Sequence, residues 1–294
     1  MLPRFELLMP ESLPEALMLL GDGEPDISPL AGGTNLIPDM RSGKRRPGVL
    51  VNVQGLRELR EIRRDDGHIV VGGGVTVAQL LKSQLVAEHG AVLVAAARRF
   101  ANPLVRNRAT VGGNLGNASP AADMAPPLLV LDGEVELSTS DGRRWVPLHN
   151  FFVHVCDTVC EPSELITAVR WPMPKARSVG NFHKVMLRKS MAIAVVSAAA
   201  QIALDEEGCC EEVRIALGAV APTPVRAYEA EELLKGERLT PEHIERARPL
   251  AFGAASCIDD VRSSAQYREQ VTAVVVRRLL TRLAEDCEAW GGDR

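Results

Sequence analysis

The stretch Pro172-Met173-Pro174-Lys175-Ala176-Arg177 divides the chain into two parts whose hydrophobic patterns differ, and no other feature limits its fold as much. Before the break, short β-rich runs alternate with segments of helical period. Ile27–Leu30, Val49–Val53, His68–Val71, Glu134–Leu137, Trp145–Leu148 and Leu165–Trp171 read as strands, the fourth and fifth forming a hairpin around Ser140-Asp141-Gly142. Helices are expected over 12–20 with Ser12 as N-cap, over 91–100, and over 122–131. Thr76 caps a further amphipathic helix carrying Val77, Leu80, Leu81 and Leu85. After the break, strands at about 181–188, 191–204 and 212–220 follow one another with short turns, and the pattern from Ala227 onward is helical. The expectation is an α+β protein with units at 1–175 and 176–294, the first subdivided at about 1–57 and 58–175. Within it, the apolar run Met191–Leu204 reads as a buried strand pair, since a bilayer span needs about 20 residues.

The formal net charge of -4 comes from 34 basic and 38 acidic residues mixed along the chain, without a polybasic tail or an acidic block. Such a surface argues against nucleic acid and membranes as partners. The first twenty residues carry Glu6, Glu11, Glu15 and three prolines, which does not fit a signal peptide. The six cysteines, at 156, 160, 209, 210, 257 and 287, form no CxxC pair and read as reduced thiols, so a cytoplasmic location is expected. The histidines are scattered, and no Ser/His/Asp grouping or metal-ligand set emerges.

Chemistry concentrates in two glycine-rich segments. In the first, comprising Pro29, Leu30, Ala31, Gly32, Gly33, Thr34, Asn35 and Leu36, adjacent glycines let consecutive amide N–H groups converge on an anion such as a phosphate. Taken alone, this segment reads as a tight turn. A second loop, at 110–117, repeats the device with Thr110, Val111, Gly112, Gly113 and Asn114, and Asp123 follows closely. Two such loops face to face cradle a pyrophosphate, with Asp123 accepting from a sugar or ribityl hydroxyl. Neither segment is a P-loop or a GxGxxG fingerprint. Gly72-Gly73-Gly74 has no polar neighbour until Thr76 and reads as a structural turn, and Arg106 and Arg108 beside the second loop read equally as phosphate partners or as surface arginines.

The pattern AGGTN at 31–35, Phe100-Ala101 ten residues before TVGGN at 110–114, and SPAAD at 119–123 resembles the FAD-binding medium subunit of the molybdenum hydroxylases, the xanthine dehydrogenase and carbon monoxide dehydrogenase family. The resemblance spans nearly the whole chain. It implies a PCMH-type FAD-binding domain of two α/β subdomains, followed by a C-terminal domain of a three-stranded antiparallel sheet and helices. It implies that residues 29–36 and 110–114 hold the FAD pyrophosphate, that Asp123 binds cofactor hydroxyls, and that Phe100, Ile166 and Lys184 contact FAD. Read without it, Phe100 is equally a core residue, Ile166 a buried strand residue and Lys184 a solvated strand charge.

The resemblance further implies an electron relay from molybdopterin on a large subunit, through [2Fe-2S] clusters on a small subunit, to FAD on this chain and then to an external acceptor, in a dimer of heterotrimers. The alternatives are a self-contained FAD-dependent oxidoreductase of the same fold, told apart by substrate-dependent bleaching of the isolated chain, and a non-enzymatic nucleotide-binding module, which would be colourless with FAD. Two departures matter. Gly113-Asn114 runs directly into Ser119-Pro120, without the cysteine-bearing insertion that holds a [4Fe-4S] cluster in the 4-hydroxybenzoyl-CoA reductase branch, and Ala192 stands where many relatives carry an aspartate.

Overall fold

A computed structural model of the chain describes residues 2–21, 26–188 and 193–288. Its first layer comprises β1 (Glu6–Leu8), α1 (Leu13–Leu20), β2 (Ile27–Leu30), α2 (Leu36–Ser42) and β3 (Val49–Asn52). The strands form a parallel sheet in the order β1-β3-β2. Parallel neighbours cannot be joined by a tight turn, so β2 and β3 require the crossover that α2 supplies. Ser12 caps α1 by accepting from the Glu15 N–H, and the helix buries Ala16, Leu17 and Leu20 against Val51, Val53 and Leu56. Helix α2 ends at Gly43, whose φ of 79° is the left-handed conformation in which glycine has no Cβ penalty.

The second layer begins with β4 (Ile62–Asp65) and β5 (His68–Gly72). Helices α3 (Val77–Leu80), α4 (Gln84–His89), α5 (Ala91–Arg99), α6 (Pro103–Arg106), α7 (Val111–Gly116) and α8 (Ala125–Val130) follow. Then come β6 (Glu134–Ser138), β7 (Arg143–Pro147), the small hairpin of β8 (Phe152–His154) and β9 (Asp157–Thr158), and β10 (Leu165–Pro172). The antiparallel sheet runs β4-β5-β10-β6-β7, so the last strand of the unit occupies its centre. Trp171 on β10 is fully buried, and its indole N–H donates to the His89 carbonyl at 2.8 Å. The single amphipathic helix expected from Thr76 is in fact two. Thr76 forms a capping box with Gln79, but Ser83 then accepts from the Val86 N–H and starts a new helix, placing Leu85 on a different axis from Leu80.

The third layer holds β11 (Ser178–Met186), β12 (Ala194–Leu204), β13 (Cys210–Gly218) and the two-residue β14 (Val225–Arg226), in that order across an antiparallel sheet of three long strands and one short edge. Helices α9 (Tyr228–Leu234), α10 (Pro241–Gly253) and α11 (Ala265–Glu288) complete it. The run expected to be a strand pair is one strand, β12, buried at every residue. The reason is that both of its faces are covered. One face joins the C-terminal core with Val196, Ala198, Ala200 and Ile202, while the cross-strand row Phe182–Ala199–Ala216 joins the core of the second layer. A strand covered on both sides has no polar face, and its sequence reads as a continuous apolar run. Ala192, like Lys189 three residues before it, lies outside the described residues. Among the described residues, no helix is long and apolar enough to cross a membrane.

Candidate functional site

The first and second layers meet at a cleft of about 510 Å³. Residues 29–36 line it from the β2–α2 connection, Thr110 and Gly112–Asn114 from the start of α7, Phe100 from the end of α5, and Ile166 from the start of β10. Three expected positions are not in its lining. Val111 is fully buried in the core, and Asp123 and Lys184 lie behind the wall.

The two glycine pairs approach each other, since a Cβ placed on Gly113 would lie 3.9 Å from the Cβ of Ala31. They differ, however, in what they present. Among the described residues, the backbone N–H groups of Gly32, Gly33, Thr34, Asn35 and Leu36 donate to no protein acceptor, and neither do the side chains of Thr34 and Asn35. Gly33 has φ of 68°, and Gly32 sits so close to the backbone of the neighbouring segment that an added Cβ would overlap the Arg108 carbonyl. This is a preformed run of unsatisfied donors at the mouth of α2, the arrangement that binds anions.

The expected second loop is instead a short helix. Thr110 is its N-cap, accepting from the Gly113 N–H at 3.0 Å. The Val111 N–H donates to the Val75 carbonyl at 3.0 Å, and the Gly112 N–H to the Gly73 carbonyl at 2.9 Å. Its amides are therefore committed to the protein and form no nest, which corrects the expectation of two equivalent cradles. The glycines here serve close packing. A Cβ on Gly112 would stand 2.8 Å from the Gly73 oxygen, and one on Gly73 would overlap the Ile166 carbonyl. Three backbone segments thus stack without side chains between them, and the wall they form is smooth. Asn114 contributes the polar group, its Oδ1 accepting from the Met124 N–H at 3.2 Å.

That stack also revises the reading of Gly73 and Gly74, which both pack and line the cleft. Other lining residues went unread: Arg45, from the basic loop after the first glycine pair, and the rim of Thr158, Cys160, Glu161 and Glu164. Only Arg45 had a local signal, its place among Arg41, Lys44 and Arg46. Arg106 points elsewhere, donating to the Phe100 carbonyl at 2.8 Å and so fixing the backbone beneath that ring.

The rim is held by charge. Arg144 donates twice to Glu164, at 2.7 and 2.8 Å, and the Glu161 N–H adds a third bond at 2.9 Å. Burial works against the Glu164 charge, but these bonds prevail and keep its carboxyl below the ordinary value. Beside it, burial and then the Glu164 charge push the Cys160 thiol up to about 12, which leaves it protonated and unreactive at neutral pH.

Behind the wall, Lys184 and Asp123 form an ion pair at 2.6 Å, both nearly inaccessible to solvent. The pair ties β11 to the segment after α7. Burial raises the Asp123 pKa against the pull of Lys184, and Oδ1 of the same carboxylate is buried without a partner. The site thus combines an anion cradle, a smooth glycine wall and flanking apolar groups, a set that fits an extended dinucleotide better than a compact substrate.

Comparisons with known proteins agree with that geometry. The family described as the FAD binding domain in molybdopterin dehydrogenase matches residues 3–174, and the CO dehydrogenase flavoprotein C-terminal domain matches residues 181–283. The chain is 33% identical over 280 residues to the 6-hydroxypseudooxynicotine dehydrogenase complex subunit alpha of Paenarthrobacter nicotinovorans, covering 95% of this chain and 94% of that one. It is 31% identical to the carbon monoxide dehydrogenase medium chain of Hydrogenophaga pseudoflava, covering 95% and 96%. A chain in the solved structure of the Cu,Mo-CO dehydrogenase in its cyanide-inactivated form superposes with a TM-score of 0.92 at 31% identity, covering 96% of this chain and 98% of that one.

Proposed function

The chain belongs to the family of FAD-binding subunits of molybdopterin dehydrogenases, and from that premise we propose that it holds FAD across the cleft and is the electron exit of its complex. It is an oxidoreductase component, and its cofactor is FAD. In this reading it takes electrons from [2Fe-2S] clusters on a small subunit, in an assembly whose large subunit carries molybdopterin, and delivers them to an external acceptor. The assembly is a dimer of heterotrimers.

The observation that carries the reading is the run of unpartnered amides at 32–36, which supplies donors for a pyrophosphate where Arg45 adds positive charge. Thr110 and Asn114 hold the opposite side, while Phe100 and Ile166 flank an aromatic ring system without polar competition. Asp123, paired with Lys184 behind the wall, supports the cofactor's seat from the β11 side rather than by lining it. Bound flavin accepts electrons singly and releases them as a pair, which suits a carrier between an iron–sulfur centre and a two-electron acceptor. The protein's part is to bind, orient and exclude water. Cys160, the thiol at the rim, is held neutral and so is no nucleophile in this reading.

The test is reconstitution. The isolated chain should bind one FAD and show no substrate-dependent bleaching, and the native complex should contain molybdenum and iron. A chain that stays colourless after incubation with FAD, or that bleaches alone with an organic substrate, would defeat the proposal.

A further inference from the structure

A second concavity, of about 500 Å³, lies on the free edge of β11, between α5 of the second layer and α11 of the third. Arg98 and Arg99 enter from α5, Arg278 and Arg282 from α11, and Asn181 and His183 form the floor. Arg282 is neutralised by Glu285 and Asp286 at 3.1 Å each. The other three arginines differ: among the described residues, no carboxylate lies within ion-pair distance of Arg98, Arg99 or Arg278. On a chain of net negative charge, three exposed guanidinium groups without a carboxylate partner, carried by two different helices, converge on this one hollow. Like charges brought together without counterions repel, and the arrangement persists at least cost when an anion shares them.

We infer that this hollow is a binding site for a small, multiply charged anion bearing phosphate or carboxylate groups. The guanidinium fork matches both groups with paired N–H donors. Asn181 supplies an amide from the floor, and His183 a neutral ring. Burial, and then the charges of Arg99 and Arg278, lower the His183 pKa, so those charges are felt inside the hollow. A bound anion would clamp α5 to α11 and hence the second layer to the third. The inference stands apart from the FAD reading, because the two sites share no lining residue.

The test uses the full chain saturated with FAD, so that phosphates cannot report on the first cleft. Pyrophosphate and citrate are titrated by calorimetry at constant ionic strength, with chloride as control. We expect saturable binding of one or both with a stoichiometry of one, identifying the phosphate or the carboxylate source. The double variant Arg99→Gln/Arg278→Gln should weaken binding by about a hundredfold, roughly tenfold for each charge-assisted contact, with FAD content unchanged. The single variant Arg282→Gln, whose partners already neutralise it, should bind as the parent does. Failure of both anions to saturate would overturn the site, as would a double variant that binds normally. If the double variant instead keeps its FAD but no longer copurifies with partner subunits, while no anion binds the parent, the hollow is a subunit contact and the inference is wrong.

Discussion

Gly32→Ala isolates the cradle from the rest of the fold. The added Cβ would lie 2.6 Å from the Arg108 carbonyl carbon and 3.1 Å from the Ala109 nitrogen. Nonbonded carbons rest at about 3.5 Å or more, so the 31–36 loop must retreat by about 1 Å, because its obstacle is backbone rather than a movable side chain. The φ of Gly32 is not left-handed, so the cost is this collision and not backbone strain. Overpacking of this kind costs about 1–3 kcal/mol of stability. A hydrogen bond of about 2.9 Å from loop to phosphate stretches past 3.5 Å under such a retreat and is lost. Each charge-assisted bond is worth about 1.5–3 kcal/mol, so losing one weakens FAD binding by roughly ten- to a hundredfold and losing two by a hundredfold or more. Gly33→Ala is the informative partner. Its φ of 68° makes alanine cost about 1–2 kcal/mol through the backbone alone, and its Cβ would touch only the Ile37 and Leu30 side chains at 3.2 Å. FAD affinity, measured by quenching of flavin fluorescence, should therefore fall far more in the first variant than in the second, at comparable thermal stability. Equal affinity of Gly32→Ala and the parent would refute the assignment of these amides to the pyrophosphate.

Three more outcomes follow from the same geometry. Lys184→Met removes the counterion of the buried Asp123 and should cost about 3–5 kcal/mol in urea unfolding; adding Asp123→Asn should recover much of it, and no recovery would mean the pair is not the source. The folded pKa of Glu164 lies below the ordinary 4.5, so its stabilising contribution is present above that value and lost as pH falls through the folded one. The melting temperature of the parent should accordingly drop more steeply on acidification than that of Glu164→Gln, and parallel curves would contradict the Arg144 contact. With its thiol pushed up to about 12, Cys160 should resist iodoacetamide at neutral pH while the exposed Cys156 reacts, as peptide mass mapping would reveal.

What was legible in the sequence was local. Ser12 and Thr76 announce helix starts because a cap is a contact over three residues, and the hairpin at 140–142 is likewise a short-range event. The segment at 110–117 reads as a loop because three glycines in six residues lower helix propensity, whereas the deciding contact, Gly112 on Gly73, spans 39 positions. A continuous apolar run does not disclose whether one or two strands carry it until both its neighbours are known, as with β12. The rim at 158–164 and the pairing of Arg144 with Glu164 depend on the β10 register and leave no periodic trace. Lys184 and Asp123 were identified as important, yet the sequence has no means of telling a group that lines a cleft from one that braces its wall.

The burial of β12 on both faces has a practical corollary for anyone dissecting the protein. A fragment ending near residue 175 would remove the apolar cover that Phe182, Ala199 and Ala216 give the second layer's core, and leave α5 and α8 greasy and bare. The two halves named by their family matches are therefore not detachable cassettes; they should be cloned, swapped or evolved together.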